Sequence, residues 1–186
     1  MATTDAKTTP IPTGTWVVDP IHSQVGFAVK HMGVATVRGT FGEFEGRLEA
    51  GMDLDHTKAY GSVKATSVDT DFPQRDDHLR SPDFFDAAQY PEIKFESTKI
   101  EQIDDETFRV TGTLDLHGIT KEITLEAIVD GTELDPQGNE RLGVEVVGQI
   151  SRGDFEMKFN QALGSGNVVV SDKVKLQLDI SAVKQS

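Results

Sequence analysis

The chain contains no cysteine. Disulfides, thiolate metal sites and a cysteine nucleophile are thereby excluded, and a reducing cytosol suits the composition. Basic residues are scarce: 18 Lys plus Arg stand against 31 Asp plus Glu, a net charge of −13. A field of that sign repels phosphate backbones and anionic lipid surfaces, and no basic cluster interrupts it. Nucleic acid is therefore not an expected partner. Long apolar runs are missing as well; none approaches the ~20 residues needed to span a bilayer, so no integral membrane segment is expected. The opening MATTDAKTTPIPTG lacks the apolar stretch of a secretory signal. Residues 1–13 read as a flexible tail, residues 14–186 as one domain, and the cytoplasm as the expected compartment, unless an export signal was removed.

What the chain does have is alternation. Val25, Phe27, Val29 and His31 share one phase, with Gln24, Gly26, Ala28 and Lys30 on the other. This is the period of a strand with one buried face. In TVRGTFGEFEGRLEA, Val37 and Phe41 keep one phase while Phe44 and Leu48 keep the opposite one. A phase change among glycines predicts a bulge that bends the strand sharply. Period-two patterns recur around Phe95, through Phe108–Leu116, Ile123–Val129 and RLGVEVVGQIS, and again over Val174–Ile180. Short turn-like pieces such as LHGIT and DPQGNE join them. The expected fold is all-β: an antiparallel barrel or sandwich of roughly eight to ten strands. Residues 71–91 break the rhythm and predict a short helical insertion, with Ser81 as N-cap and Pro82 at the first helical position.

Chemistry-bearing patterns are sparse. His22 and His31 lie nine residues apart, so a single extended strand separates them by roughly 30 Å, too far to share a metal. His31, His78 and His117 can meet at a barrel rim, but without the spacing of a metal motif they read as rim or capping residues. No G-x-S-x-G elbow occurs, and LGSGN lacks its context. The many carboxylates fall on outward phases or in turns and read as a solvated surface. GVATVRGTFGEFEG sits inside a strand pattern, not before a helix, and is no phosphate loop. Neither a metal, a cofactor nor a catalytic residue is expected. An apolar interior remains, with Phe27, Phe41, Phe44, Phe95 and Phe108 on one side of a curved sheet. An eight-stranded barrel is about the size that either fills with side chains or holds one small ligand.

Five stretches, in order, carry a resemblance: WVVDPIHSQVGFAVKHMGVATVRGTFGEFEG, RDDHLRSPDFFDAAQYPEIKFES, GTLDLHGITKEITL, ISRGDFEM and VSDKVKLQLDISA. From about Thr15 to Val183 the chain resembles the YceI family of lipocalin-like, polyisoprenoid-binding proteins. The resemblance implies an extended lipocalin-like antiparallel β-barrel of about eight strands. It also implies a non-catalytic carrier whose interior holds a polyisoprenoid, an isoprenoid quinone or a similar lipid. The inward-phase residues of the matched stretches are then the ligand-binding candidates: Phe27, Val29, Phe41, Phe44, Phe84, Phe85, Phe95, Leu114 and Leu116. His31 joins them as a polar contact near one cavity end. The insertion at 71–91 becomes a lid. Many relatives carry an export signal, which this chain does not show. A lipid-modifying enzyme using the rim histidines and an acidic, stress-related interaction module are the alternatives, and a homodimer stays open.

Overall fold

Each stretch of alternating sequence forms a strand in the computed structural model, which describes residues 11–186. The expected tail over residues 1–13 falls mostly outside that range. The strands are β1 (Gly14–Val18), β2 (Gln24–His31), β3 (Ala35–Phe41), β4 (Phe44–Ala50), β5 (Lys58–Lys64) and β6 (Val68–Asp69). They continue with β7 (Glu92–Gln102), β8 (Thr107–Leu116), β9 (Ile119–Leu134), β10 (Glu140–Ser151) and β11 (Val170–Lys184). Eight of them close a ring in the order β1, β4, β5, β7, β8, β9, β10, β11 and back to β1, antiparallel throughout. Closure pairs the backbone groups that an open edge would leave free.

The remaining three strands branch from β11, which is long enough to serve two neighbours. Its Ala182–Lys184 end faces β1, while Val170–Asp179 face β2. Next to β2 lies β3, and then the two-residue β6, through Thr40 with Asp69 and Phe41 with Val68. There the ladder ends. The phase change read from the sequence falls at Gly42 and Glu43, where β3 gives way to β4 and the chain passes from β2 to β1 as partner. One bent segment thus serves both ends of the barrel.

Turn chemistry matches the connections. His117 and Gly118 both take positive φ (56° and 72°), the pair of values that a two-residue type I′ hairpin requires between β8 and β9. In DPQGNE, the Asp135 carboxylate accepts from the backbone N–H of Gln137 and Asn139, and Gly138 takes φ 85°.

The insertion does contain a helix, but earlier than expected. Helix α1 spans Pro73–Arg80, with Pro73 in the first turn, and Ser81 ends it. The Ser81 hydroxyl donates back to His78 O at 2.6 Å and accepts from Asp83 N, which turns the chain away from helix. Proline suits the first turn at either position, since its missing N–H has no helical partner there. The downstream run through Phe84 and Phe85 forms turns, because both rings are drawn inward.

Two apolar clusters occupy the barrel's ends. At one, Trp16 (0% exposed), Phe108, Val129, Leu142 and Ala182 pack together, joined by Ile11 and Leu48. At the other, Leu114, Leu116, Ile150, Phe155 and Met157 pack with Phe85 and Phe95.

Candidate functional site

The inward phases of the strands do not meet across the barrel. They enclose a cavity of about 370 Å³ that runs between the two clusters, inside the range of about 300–1,000 Å³ usual for ligand sites. Seven of the ten phenylalanines line it, with alternate residues of β10 and β11: Val144, Val146, Ile150, then Val174, Leu176, Leu178 and Ile180. A larger depression, about 750 Å³, lies on the outer face from β3 and β2 across β11, β10 and β9 to β8. Gln24, Arg38, Arg109, Glu126, Lys175, Gln177 and Asp179 line it, so it is a polar surface groove. Of the two, the interior cavity has the apolar lining.

Glycines shape the wall where rings cross neighbouring strands. Gly39 sits opposite Phe27 in the ladder, and a Cβ there would overlap that ring. Gly112, diagonal to Phe95 across the β7–β8 pair, leaves room for that ring in the same way: a Cβ there would lie 2.5 Å from it. These two rings thus lie over the wall at the glycines. Phe27 lies 5.6 Å from Phe41 at a tilt of 44°, and Phe41 meets Phe85 edge-on at 5.7 Å.

Nine of the ten residues expected from sequence line this cavity. Phe27 and Val29 come from β2, Phe41 from β3, Phe44 from β4, Phe95 from β7, and Leu114 and Leu116 from β8. Phe84 and Phe85 descend from the segment after α1. His31 is the exception: it ends β2 in an exposed position, and its ladder partner Val170 reaches the cavity in its place. The β2–β11 register shifts between Val170 and Val174, so phase counted along β2 no longer fixes which residue meets the lumen there.

The histidines do not gather. His78 Nε2 lies 2.8 Å from Asp83 Oδ2, with its ring against Phe84 and Phe159. His117 Nδ1 bonds Phe155 O at 2.8 Å, its ring edge-on to Tyr90. His22 pairs with Asp19 at 2.7 Å and His56 with Asp53 at 2.6 Å. None of the five lines the cavity, and no cluster of metal-ligating side chains occurs among the described residues.

Over the end where the ladder stops, α1 and residues 81–91 form a cover that sends Leu79, Phe84 and Phe85 into the cavity. Apolar contact alone does not hold it. Asp76, buried on α1, accepts from Thr70 N at 2.8 Å and Thr70 Oγ1 at 2.6 Å. Arg75 donates to Thr70 Oγ1 and Thr70 O, both at 2.7 Å. Arg80 donates to Thr66 O at 2.8 Å and Val68 O at 3.1 Å. Each of these backbone acceptors lies on the segment around β6, while ring contacts of Phe84 with Phe159 and of Tyr90 with His117 hold the cover on other sides.

Among the lining residues that sequence reasoning did not single out, one is charged and buried. Arg152 opens the short 3₁₀ turn Arg152–Phe155 after β10 and is 5% exposed. Its position in a turn removes it from any period-two pattern, and no spacing signal marks it. The lining of β10 and β11, by contrast, follows from their alternation.

A closed antiparallel barrel around an apolar cavity, with one short helix at its mouth, is a lipocalin-like architecture. The chain belongs to the YceI-like domain family, whose model matches residues 16–182. Proteins called YceI in Escherichia coli and Shigella flexneri are 38% identical over 167 residues, covering 88% of this chain and 83% of theirs. A YceI protein of Campylobacter jejuni of known crystal structure superposes with a TM-score of 0.72 at 30% identity, over 84% of this chain and 90% of that one. A domain from Saccharophagus degradans, described as polyisoprenoid binding, shares the fold with a TM-score of 0.68 at 16% identity, over 94% of this chain and all of that one. No helix among the described residues is long and apolar enough to cross a membrane.

Proposed function

We propose that the protein is a non-catalytic carrier whose barrel holds a long hydrophobic or amphiphilic ligand: a polyisoprenoid, an isoprenoid quinone or a similar lipid. The observation that carries this reading is the enclosed cavity of about 370 Å³ with its wall of aliphatic and phenylalanine side chains. Burying one methylene contributes about 0.8 kcal/mol, so a few isoprene units give useful affinity after the ordering costs are subtracted. Such a site needs neither metal nor nucleophile. The description of the Saccharophagus domain supports the ligand class. The alternative of a lipid-modifying enzyme needs His31, His78 or His117 to meet a carboxylate inside the cavity, and none of them lines it. Residues 14–186 then act as one domain. In the cytoplasm, the ligand pool would be isoprenoid or quinone intermediates, or lipid drawn from the inner face of the membrane.

The test is organic extraction and mass spectrometry of natively purified protein, with Gly61→Phe as the plugged control. Gly61 lies in the cavity wall, and a Cβ there meets only Glu45 O at 3.8 Å, so a ring can enter the lumen without displacing the backbone. The expected result is a co-purifying lipid in the wild type and its loss, with the fold intact, in Gly61→Phe. A wild-type protein that carries no lipid, and takes up no apolar fluorophore, overturns the proposal.

A further inference from the structure

The cavity has one buried charge. Of the charged residues along its wall, Glu45, Arg47 and Lys94 have exposed side chains on the outward phase, whereas Arg152 is buried. Its guanidinium forms three hydrogen bonds, all to backbone carbonyls: Nε to Ser171 O at 2.9 Å, Nη1 to Met157 O at 2.7 Å and Nη2 to Val170 O at 3.0 Å. A guanidinium has five N–H donors, so two are left. The Asp172 carboxylate acts on it only through space, since Asp172 is engaged by Ser151 Oγ at 2.6 Å and Gly153 N at 2.9 Å. Burial pulls the Arg152 pKa down from its ordinary value, the sign of a cation held away from water without full compensation. Carbonyl oxygens share the charge without cancelling it, and leaving a buried ion unneutralised is costly.

We propose that Arg152 binds the anionic head group of an amphiphile, a phosphate or carboxylate oxygen, and thereby fixes the ligand's direction in the barrel. This rests on the carrier reading above and adds head-group chemistry and polarity to it. Arg152 stands at the end of the cavity that Phe155, Met157 and Phe85 surround, under the cover of α1 and residues 81–91. The head then sits beneath the cover and the tail runs toward Trp16. Arginine suits the role because its planar fork stays charged when buried and meets two oxygens at once. A neutral lipid gains the same apolar burial but leaves the two N–H groups unmatched.

A pair of probes with one tail isolates the head-group effect: farnesyl phosphate and farnesol, each displacing a fluorescent apolar reporter from delipidated full-length protein. The wild type is expected to prefer the phosphate by about tenfold or more, the scale of one charge-assisted hydrogen bond. Arg152→Met should collapse that ratio toward one while changing farnesol affinity by less than about threefold, and Arg152→Lys should keep part of it. Because Arg152 also braces its turn, a second readout uses the wild type alone: the Arg152 side-chain Nε–Hε NMR resonance should shift on adding farnesyl phosphate and stay in place with farnesol. Equal affinities for the two probes, or a ratio that survives Arg152→Met, overturns the assignment and leaves Arg152 as a turn brace. If neither probe displaces the reporter, the carrier reading itself fails instead.

Discussion

The two ends of the barrel are closed by different physics. At the Trp16 end the wall is continuous sheet: β1 pairs with β4 on one side and β11 on the other, and the indole fills the space between. Trp16 is wholly buried, and its Nε1 donates to Pro12 O at 3.0 Å. Outside this floor, Arg141 bridges Asp19 at 2.8 Å and Asp135 at 2.9 Å, tying the β9–β10 turn to the segment after β1. At the opposite end the ladder stops at β6, and closure passes to α1 and turns held by side chain-to-carbonyl bonds. Backbone ladders resist local opening, whereas residues 71–91 form no strand and contribute nothing to the ladder. The floor is thus held by sheet pairing, and the cover by side-chain hydrogen bonds and ring contacts.

Removing the floor's centre should separate the two ends most sharply. Trp16→Ala leaves a large void in the best-packed cluster and is expected to cost about 3–5 kcal/mol, read from urea unfolding. A loss under 1 kcal/mol would mean that the floor is no more essential than the cover.

Asp76→Ala attacks the cover. It strips Thr70 N and Oγ1 of their buried acceptor, a loss of about 1–3 kcal/mol. The expected signature is local: hydrogen exchange should speed up over residues 70–90 and remain slow in β1, β10 and β11. Uniform acceleration across the barrel would show that the two ends open together.

Acid should report on the floor. Hydrogen bonds from Asn139, Arg141 and Gln137 bring the Asp135 pKa down to about 2, and Arg141 with His22 holds Asp19 well below the usual carboxylate range. Carboxyl groups lowered by folding bind protons more readily when unfolded, so their stabilisation is complete above the ordinary carboxylate pKa. It is lost as pH falls from about 4 toward 2. Arg141→Met should flatten that acid limb of the thermal stability profile measured by circular dichroism. An unchanged limb would place the acid sensitivity elsewhere.

Much of this was legible in the chain itself. Period-two alternation marked the strands and their inward faces, and seven of the ten candidate residues reached the cavity because phase survives folding wherever a strand borders the lumen, while Phe84 and Phe85 reached it from turns. His31 did not, because alternation carries no information about the register shift between Val170 and Val174 where β2 meets β11. Pro82 was a sound start signal that lost to Pro73, since burial of Phe84 and Phe85 outweighed a local preference. Arg152 was invisible: a turn residue has no phase, and its burial depends on segments up to 19 residues away.

By itself, the sequence determined an all-β fold, barrel or sandwich, with an acidic exterior and an apolar interior, because side-chain alternation is a local property of each strand. Whether that interior is packed or hollow, which end the helix covers and where the buried cation sits were decided only by the tertiary structure. Those features depend on how far apart opposite walls stand once the ring has closed, a distance that no single segment encodes.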